Sequence, residues 1–345
     1  MNVVYTFGKS VGTGIGLTAM QTIEPIRKAG YLKQLITGNE IPVQSNDSIL
    51  HNNTFDVLAS MRIKSPIDIL HAWGHMCYAC LIKAHSLGAK TVVERASSHI
   101  NNQNRILIEE FKRLKIKQIP IHPWVIKKQL VEYKETDFVT VPSKFAYDSF
   151  IDEGHSEEEL FLNPYGVDIN KFKPMKIEKD DKFRVLFMGE NWIRKGLYYL
   201  LKAWNGLNLK NAELIIRSTN PIFKDIDYSS ITMVKWIDDI VELYNKIDIF
   251  CFPTLEEGNA LVIGEVSACG TPSITTFNSG TWLDDKSCFF VPICNIDALK
   301  EKIQYCYDNR DELKKIGKEA RKVAEKNTWD FYGKRLISNY EKIIK

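Results

Sequence analysis

The sequence lacks the long apolar run of a membrane-spanning helix, because it contains no stretch of about 18 apolar residues. Its N-terminal segment, residues 1–16, shows neither the basic region nor the apolar region of a signal peptide, so we expect none. The seven cysteines are odd in number and scattered along the chain. This pattern favours free buried thiols over a disulfide framework, and we expect a cytoplasmic protein.

The sequence also lacks a large excess of charge of one sign, since 46 basic and 43 acidic side chains leave a net charge of +3. This value is too small to indicate a nucleic-acid partner, and we expect none. The Lys-rich segments 112–117 and 127–128 are typical of a solvated helix face, although they would also suit peripheral contact with a membrane. Nothing in the sequence predicts the oligomeric state.

Two short motifs have metal-ligand residues but lack their usual context. Cys77 and Cys80 form a C-x-x-C pair with no second pair to complete a zinc site. Asp225 and Asp227 form a D-x-D that no apolar strand precedes. We therefore expect no bound metal.

Apolar and amphipathic segments alternate along the chain. Its 345 residues are enough for two domains of ordinary size. Candidate strands and helices alternate up to about residue 154, a polar Pro/Gly-punctuated segment follows at 163–182, and the alternation then restarts. This pattern predicts an α/β protein with two Rossmann-like parallel sheets that face each other across a cleft. We place the domains at 1–170 and 171–328, and expect the final helix, 329–345, to pack back on the first.

Two polar segments follow candidate strands, where α/β sheets bind ligands. The glycine-rich segment 11–16 has the spacing G-x-G-x-G, so it is either a phosphate-contacting loop or an ordinary turn. Arg194 and Lys195 follow the strand 183–189. They could hold a diphosphate by charge-assisted hydrogen bonds, or form an exposed basic turn.

The segment 254–272 carries two carboxylates, Glu257 and Glu265, around the start of a predicted helix. They are eight residues apart, which is about 12 Å along a helix, so they cannot share a proton. Glu265 could accept hydrogen bonds from an extended polyol ligand, or it could form a buried ion pair with Lys or Arg. We expect the N–H groups of Asn259, Ala260 and Leu261 to be unsatisfied at the helix start, as a ready anion site.

Together these segments resemble the retaining GT-B glycosyltransferases of family 4. Glu257 and Glu265 match that family's E-x7-E motif, and "SACGTP" follows where the family has "MACGTP". Residues 194–196 (RKG) resemble its diphosphate motif, and residues 141–172 resemble its crossover segment. The resemblance implies transfer of a sugar from a UDP-, GDP- or ADP-sugar to a saccharide or lipid-linked acceptor, without metal or further cofactor.

The resemblance also implies roles for individual residues. Glu257 would contact the donor sugar, Glu265 the ribose, and Lys195 the diphosphate. A histidine of the N-terminal domain would face the reaction centre, and His75 fits slightly better than His71. The remaining implied donor contacts are Gly14, Arg194, Trp236, Asn259, Ala260 and Leu261. Acceptor contacts would come from the segment 92–105, where Glu94, Arg95 and His99 are candidates, although solvation of a polar loop explains them equally.

Two departures from the family pattern keep other interpretations open. Glu190 stands where the family usually has Arg, and Asn259 replaces the aromatic residue of "EGFG". A sugar-nucleotide-binding protein without turnover therefore remains an alternative. A GT-B sugar-nucleotide epimerase is another, although its acid–base cluster is not evident. A nicotinamide dehydrogenase has only the first glycine-rich loop in its favour.

Overall fold

The structure is a computed structural model that describes residues 1–8, 14–41, 43, 45, 47–218, 223–235 and 237–345. The chain divides into two compact units. The first comprises Met1–Ile108, Lys115–Tyr165 and Trp329–Lys345, and the second comprises Glu109–Leu114 and Gly166–Thr328.

The first unit is built on a six-stranded parallel sheet with the order β2-β1-β3-β4-β5-β6. Burial of both sheet faces explains why strands such as "VVYTF" are mostly apolar and buried along their whole length. Up to Tyr165 the elements are β1 (Val3–Phe7), α1 (Gly14–Lys28), β2 (Leu32–Thr37), α2 (Ser48–Arg62), β3 (Ile69–Trp73), α3 (Tyr78–Ser86), β4 (Lys90–Glu94), α4 (Ile100–Arg113), α5 (Pro123–Glu135), β5 (Phe138–Val141), α6 (Lys144–Ile151) and β6 (Leu160–Leu162).

The second unit is built on another six-stranded parallel sheet, with the order β12-β11-β10-β7-β8-β9. Its elements are β7 (Phe183–Met188), α7 (Leu197–Asn205), β8 (Ala212–Arg217), β9 (Ile231–Val234), α8 (Ile240–Lys246), β10 (Ile249–Phe252), α9 (Leu261–Ala268), β11 (Ser273–Thr275), β12 (Phe289–Phe290), α10 (Ile296–Asp308) and α11 (Arg310–Glu325). Counted within this sheet the order is 3-2-1-4-5-6, as in Rossmann folds. The predicted pair of Rossmann-like α/β sheets is confirmed.

The final helix, α12 (Trp329–Ile344), packs against α1 within the first unit. The contact is close, because a Cβ added at Gly333 would lie 2.5 Å from the Pro25 ring. The hydroxyls of Thr22 and Tyr332 share a buried hydrogen bond of 2.8 Å beside it. The last helix therefore completes the core of the unit in which the chain begins.

Five elements of the structure were missed by pattern reading: β2, α2, α5, β6 and β12. The two helices begin at caps rather than at regular apolar periods, with Asp47 capping α2 and His122 capping α5 just before Pro123. The strands β6 and β12 are only three and two residues long, too short for a period to show. Among the described helices, none has the length and hydropathy needed to cross a membrane.

Candidate functional site

The second sheet reverses its strand order between β7 and β10, which are direct neighbours. At such a switch point the loops that leave the carboxyl ends of the strands diverge, and ligands of α/β sheets bind there. The loop after β7 contains Arg194 and Lys195, and the loop after β10 contains Glu256 and Glu257. The predicted donor residues Arg194, Lys195 and Glu257 therefore lie on the loops that leave the two strands at the switch point.

Gly196 allows these two loops to touch. Its φ is +68°, and an added Cβ would lie 2.1 Å from the Pro253 carbonyl oxygen, so only glycine fits without displacement. The Arg194 carbonyl accepts hydrogen bonds from the Leu255 N–H at 2.8 Å and from the Thr254 hydroxyl at 3.0 Å. The backbone thus holds both basic residues beside the β10 loop.

Four charged side chains form a compact cluster at this point. Lys195 forms an ion pair with Glu257. Nη1 of Arg194 lies 3.3 Å from carboxylate oxygens of both Glu256 and Glu257. The Glu256 side chain is fully buried. Glu256 was missed by sequence reasoning, because adjacency to Glu257 was its only signal.

Burial and, to a lesser extent, the neighbouring Arg194 charge lower the pKa of the Lys195 ammonium well below its ordinary value. The ammonium also lies 5.3 Å from the centroid of the Phe252 ring. The Glu256 carboxylate opposes this lowering, and the ammonium also forms its ion pair with Glu257. The site is therefore built to hold Lys195 against negative charge.

Glu265 lies on α9, partly buried, and its Oε2 accepts a hydrogen bond of 2.9 Å from the Tyr244 hydroxyl. Burial raises the pKa of Glu265, and the Tyr244 hydrogen bond and the Lys171 charge partly oppose that rise. Among the described residues no Lys or Arg lies within ion-pair distance of this carboxylate, and its partner is the Tyr244 hydroxyl. Tyr244 is the partner that sequence reasoning missed.

The segment Thr276–Gly280 braces the loop that carries Glu257. The Glu257 N–H donates to the Asn278 carbonyl at 2.9 Å, and Nδ2 of Asn259 donates to the Gly280 carbonyl at 3.0 Å. The Ala260 N–H donates to the Ser279 carbonyl at 3.0 Å, so the expectation that it is unsatisfied is wrong. The helix itself begins at Leu261.

Glu190, the departure from the family pattern, forms an ion pair of 3.0 Å with Arg217 at the carboxyl end of β8. Two other implied donor contacts give less information. Gly14 is the first residue of α1, whereas residues 11–13 of the glycine-rich segment and Trp236 lie outside the described residues.

In the first unit, the loop after β3 carries His75 in a left-handed backbone conformation with φ 76°. The Glu132 carboxylate on α5 accepts hydrogen bonds from the N–H of His75 at 2.6 Å and of Cys77 at 3.0 Å. The His75 ring lies 3.1 Å from Nη1 of Arg95. His75 is half-buried, and its position is set by a buried carboxylate.

The other candidate acceptor residues are buried. His71 is bonded on both ring nitrogens, to Glu94 at 3.1 Å and to Tyr340 at 2.5 Å. The second Glu94 oxygen accepts from the Tyr165 hydroxyl at 2.9 Å. His99 packs against Tyr133 and Phe150, and burial lowers its pKa to about 4. The solvation that we considered for Glu94, Arg95 and His99 is therefore wrong, because all three side chains are buried.

Cys77 and Cys80 are buried free thiols whose pKa values burial raises well above the ordinary range. Asp225 forms an ion pair with Lys202, and Asp227 accepts hydrogen bonds from Ser229. Within the described ranges, no group of three or more His, Cys, Asp or Glu side chains is arranged to hold a metal ion.

Comparison with known proteins agrees with the interpretation of this site as a ligand-binding site. Residues 182–309 match the family model "Glycosyl transferases group 1". The capsular polysaccharide biosynthesis glycosyltransferase CapM of Staphylococcus aureus is 26% identical over 207 residues, covering 55% of this chain and 54% of that protein. The N,N'-diacetylbacillosaminyl-diphospho-undecaprenol alpha-1,3-N-acetylgalactosaminyltransferase of Campylobacter jejuni is 22% identical, covering 64% and 66%. The chain spans about half the length of the first curated relatives it matches.

Solved structures match over nearly the whole chain. A glycosyltransferase from Rickettsia africae has a TM-score of 0.72 at 18% identity and covers 100% of this chain and 98% of its own. Anabaena HepE in complex with UDP-glucose has a TM-score of 0.71 at 15% identity, with coverage of 99% and 100%. The matches show that residues 182–309 are similar to group 1 glycosyltransferases and that the chain shares its fold with solved glycosyltransferase structures.

Proposed function

We propose that this protein transfers a sugar from a nucleoside-diphosphate sugar to an acceptor hydroxyl. The observation that carries the proposal is the pair Arg194 and Lys195 at the switch point of the second sheet, in contact with Glu257. Two cations on rigid loops beside a carboxylate suit a ligand with a diphosphate next to a sugar. The second unit would bind the donor, and the first unit would bind the acceptor.

The charge cluster supports a mechanism in which the protein positions substrates and stabilises charge. Lys195 and Arg194 would bind the diphosphate and stabilise it as it leaves the anomeric carbon. Glu257 would accept hydrogen bonds from the sugar, and Glu265, oriented by Tyr244, from the ribose. Because cations hold both Glu256 and Glu257, neither is a free base near the diphosphate. We therefore assign deprotonation of the acceptor to a diphosphate oxygen, with attack on the same face and retention of configuration.

The same cations support a reaction that needs no metal. Diphosphate departure is assisted either by a divalent cation or by fixed positive side chains, and Lys195 and Arg194 provide the second. Activity should therefore persist in excess chelator. Strict loss of turnover with chelator, restored by Mg²⁺ or Mn²⁺, would contradict this part of the proposal.

The relatives suggest the first substrates to test. One solved structure contains UDP-glucose, and several relatives are named for acceptors linked to undecaprenol. We therefore propose a UDP-sugar as donor and a saccharide, free or lipid-linked, as acceptor.

The experiment is to measure release of nucleoside diphosphate from a panel of UDP-, GDP- and ADP-sugars, with wild-type protein and with Lys195→Ala. Loss of one such charge stabiliser commonly lowers turnover by about 10²–10³-fold, and we expect that loss here. Lys202→Ala, at a half-buried lysine on α7 that forms an ion pair with Asp225, is the matched control and should retain activity. Near-normal turnover of Lys195→Ala, or no release from any donor, would reject the proposal.

A further inference from the structure

The first unit contains a pocket of about 410 Å³ between helices α2, α3 and α5. This volume lies within the range of about 300–1,000 Å³ that is usual for small-molecule sites. Most of its wall is apolar, and the main apolar contributors are Ile49, Val57, Tyr78, Trp124, Val125 and Val131. The pocket also touches His75, the residue that the family resemblance places at the reaction centre.

The apolar surface extends beyond the pocket along α2. Leu50, Val57 and Met61 are spaced by seven and four residues, so they lie on one face of the helix. Their exposed fractions are 58%, 46% and 73%. Exposed apolar side chains that continue from an apolar pocket indicate a ligand longer than the pocket itself.

The charges at the pocket are unequally compensated. The Lys128 ammonium lies 3.0 Å from the Asp56 carboxylate, which also accepts hydrogen bonds from the N–H groups of Ala79 and Cys80. Lys127 is exposed, packs 5.8 Å from the centroid of the Trp124 ring, and has no carboxylate partner among the described residues. One positive charge beside an apolar pocket suits an apolar chain that ends in an anionic group.

A polar atom in the pocket wall also needs a partner. The side-chain oxygen of Asn52 is buried and has no hydrogen-bond partner among the described residues. Burying such an acceptor is unfavourable unless a donor reaches it. A ligand that carries hydroxyl groups near its anionic end could supply that donor.

We propose that this pocket binds the hydrocarbon chain of a lipid-linked acceptor, with the acceptor phosphate at Lys127 and its sugar directed toward His75. The inference rests on the proposed function, because it names the acceptor class of the same reaction. The proposed ligand is a single lipid molecule bound in the pocket, and not the surface of a bilayer.

Farnesyl diphosphate is a suitable probe, because it combines a prenyl chain with an anionic group, and its binding can be measured by calorimetry without donor. Val57→Asp places a charge in the pocket wall and should weaken binding by about tenfold or more. Leu58→Asp, on the same helix but outside the pocket, should leave binding unchanged. Lys127→Glu should weaken farnesyl diphosphate but not farnesol, whereas Lys134→Glu, exposed on the same helix, should affect neither.

Equal affinity of Val57→Asp and wild type, or no binding of farnesyl diphosphate, would overturn the inference. Binding to phosphatidylglycerol vesicles without binding to farnesyl diphosphate would also overturn it, in favour of a membrane-docking surface. Nucleoside diphosphate release from the donor is measured separately. Donor turnover without prenyl binding rejects this inference alone, and prenyl binding without donor turnover rejects the proposed transferase activity alone.

Discussion

Lys195 and Glu257 form an ion pair between the loop that follows β7 and the loop that follows β10. Glu257 also lies 3.3 Å from Arg194, so a single carboxylate contacts both of the cations that we assign to the donor diphosphate. A bound diphosphate must therefore compete with Glu257 for these cations. Glu257 therefore has two effects that can be measured separately. It weakens binding of the diphosphate, and it supports transfer of the sugar.

Glu257→Gln should bind UDP more tightly than the wild type, because the cations lose their competing carboxylate. The same variant should turn over a UDP-sugar about 10–100-fold more slowly, since hydrogen bonds from the sugar to a charged acceptor contribute about 1.5–3 kcal/mol. Calorimetry with UDP and steady-state kinetics with the sugar nucleotide measure the two effects. Glu242→Gln on α8 is the control, and weaker UDP binding by Glu257→Gln would contradict the assignment.

Gly196→Ala should impair both stability and donor binding. The residue has φ +68°, and its new Cβ would meet the Pro253 carbonyl oxygen at 2.1 Å, so the loop with Arg194 and Lys195 must move. A strained left-handed residue alone costs about 1–3 kcal/mol. Urea unfolding and UDP calorimetry test the effect.

Gly206→Ala, at the other end of α7, is the matched control. Its backbone φ is −82°, and the nearest atoms to an added Cβ belong to the flexible Lys300 side chain. This variant should bind UDP normally. Equal UDP affinity of the Gly196→Ala variant would show that the loop contact does not position the cations.

Tyr244→Phe should raise the donor KM several-fold while changing kcat less. The variant removes the 2.9 Å hydrogen bond that orients Glu265 but leaves the carboxylate in place. One such hydrogen bond contributes about 1 kcal/mol. Tyr332→Phe loses a comparable buried hydrogen bond to Thr22 in the first unit and should leave the donor KM unchanged. An unchanged KM in Tyr244→Phe would show that the orientation of Glu265 by Tyr244 does not contribute to donor binding.

The sequence predicts the sheets because strand and helix periods are local, and it predicts Lys195 and Glu257 because strand ends mark the ligand edge of a sheet. The partners of these residues are not local. Tyr244 reaches Glu265 from another helix, and Ser279 occupies the Ala260 N–H from the loop after β11. Such pairings depend on tertiary packing, so no spacing along the chain reveals them.

His71 and Glu94 show the opposite limit. Polar residues at strand ends resemble a binding site in the sequence, but α12, more than 200 residues further along the chain, contributes Tyr340 to this network. Both side chains are thereby buried and bonded within the protein. A polar strand end thus predicts a site only where no other element covers it.

Glu132 gives a pH-dependent prediction for the loop that carries His75. Burial raises the pKa of this carboxyl from 4.5 to about 7, although Lys128 and two backbone N–H groups oppose the rise. Between these two pH values the folded protein binds a proton that the unfolded chain has lost. The contribution of Glu132 to stability is therefore fully present below about pH 4.5 and is lost as the pH rises to about 7. At about 1.4 kcal/mol per pKa unit, the loss is about 3 kcal/mol.

Urea unfolding of wild type and Glu132→Gln at about pH 5 and about pH 8 measures this contribution, because other titrating groups cancel in the difference between the two proteins. The amide can still accept hydrogen bonds from His75 and Cys77, and it carries no charge at either pH. The wild type should therefore lose stability relative to the variant as the pH rises. Glu135→Gln, one turn further along the same segment and outside this cluster, is the control and should show the same loss of stability between the two pH values as the wild type. A wild-type–variant difference that is the same at both pH values would show that Glu132 stays ionised in the fold.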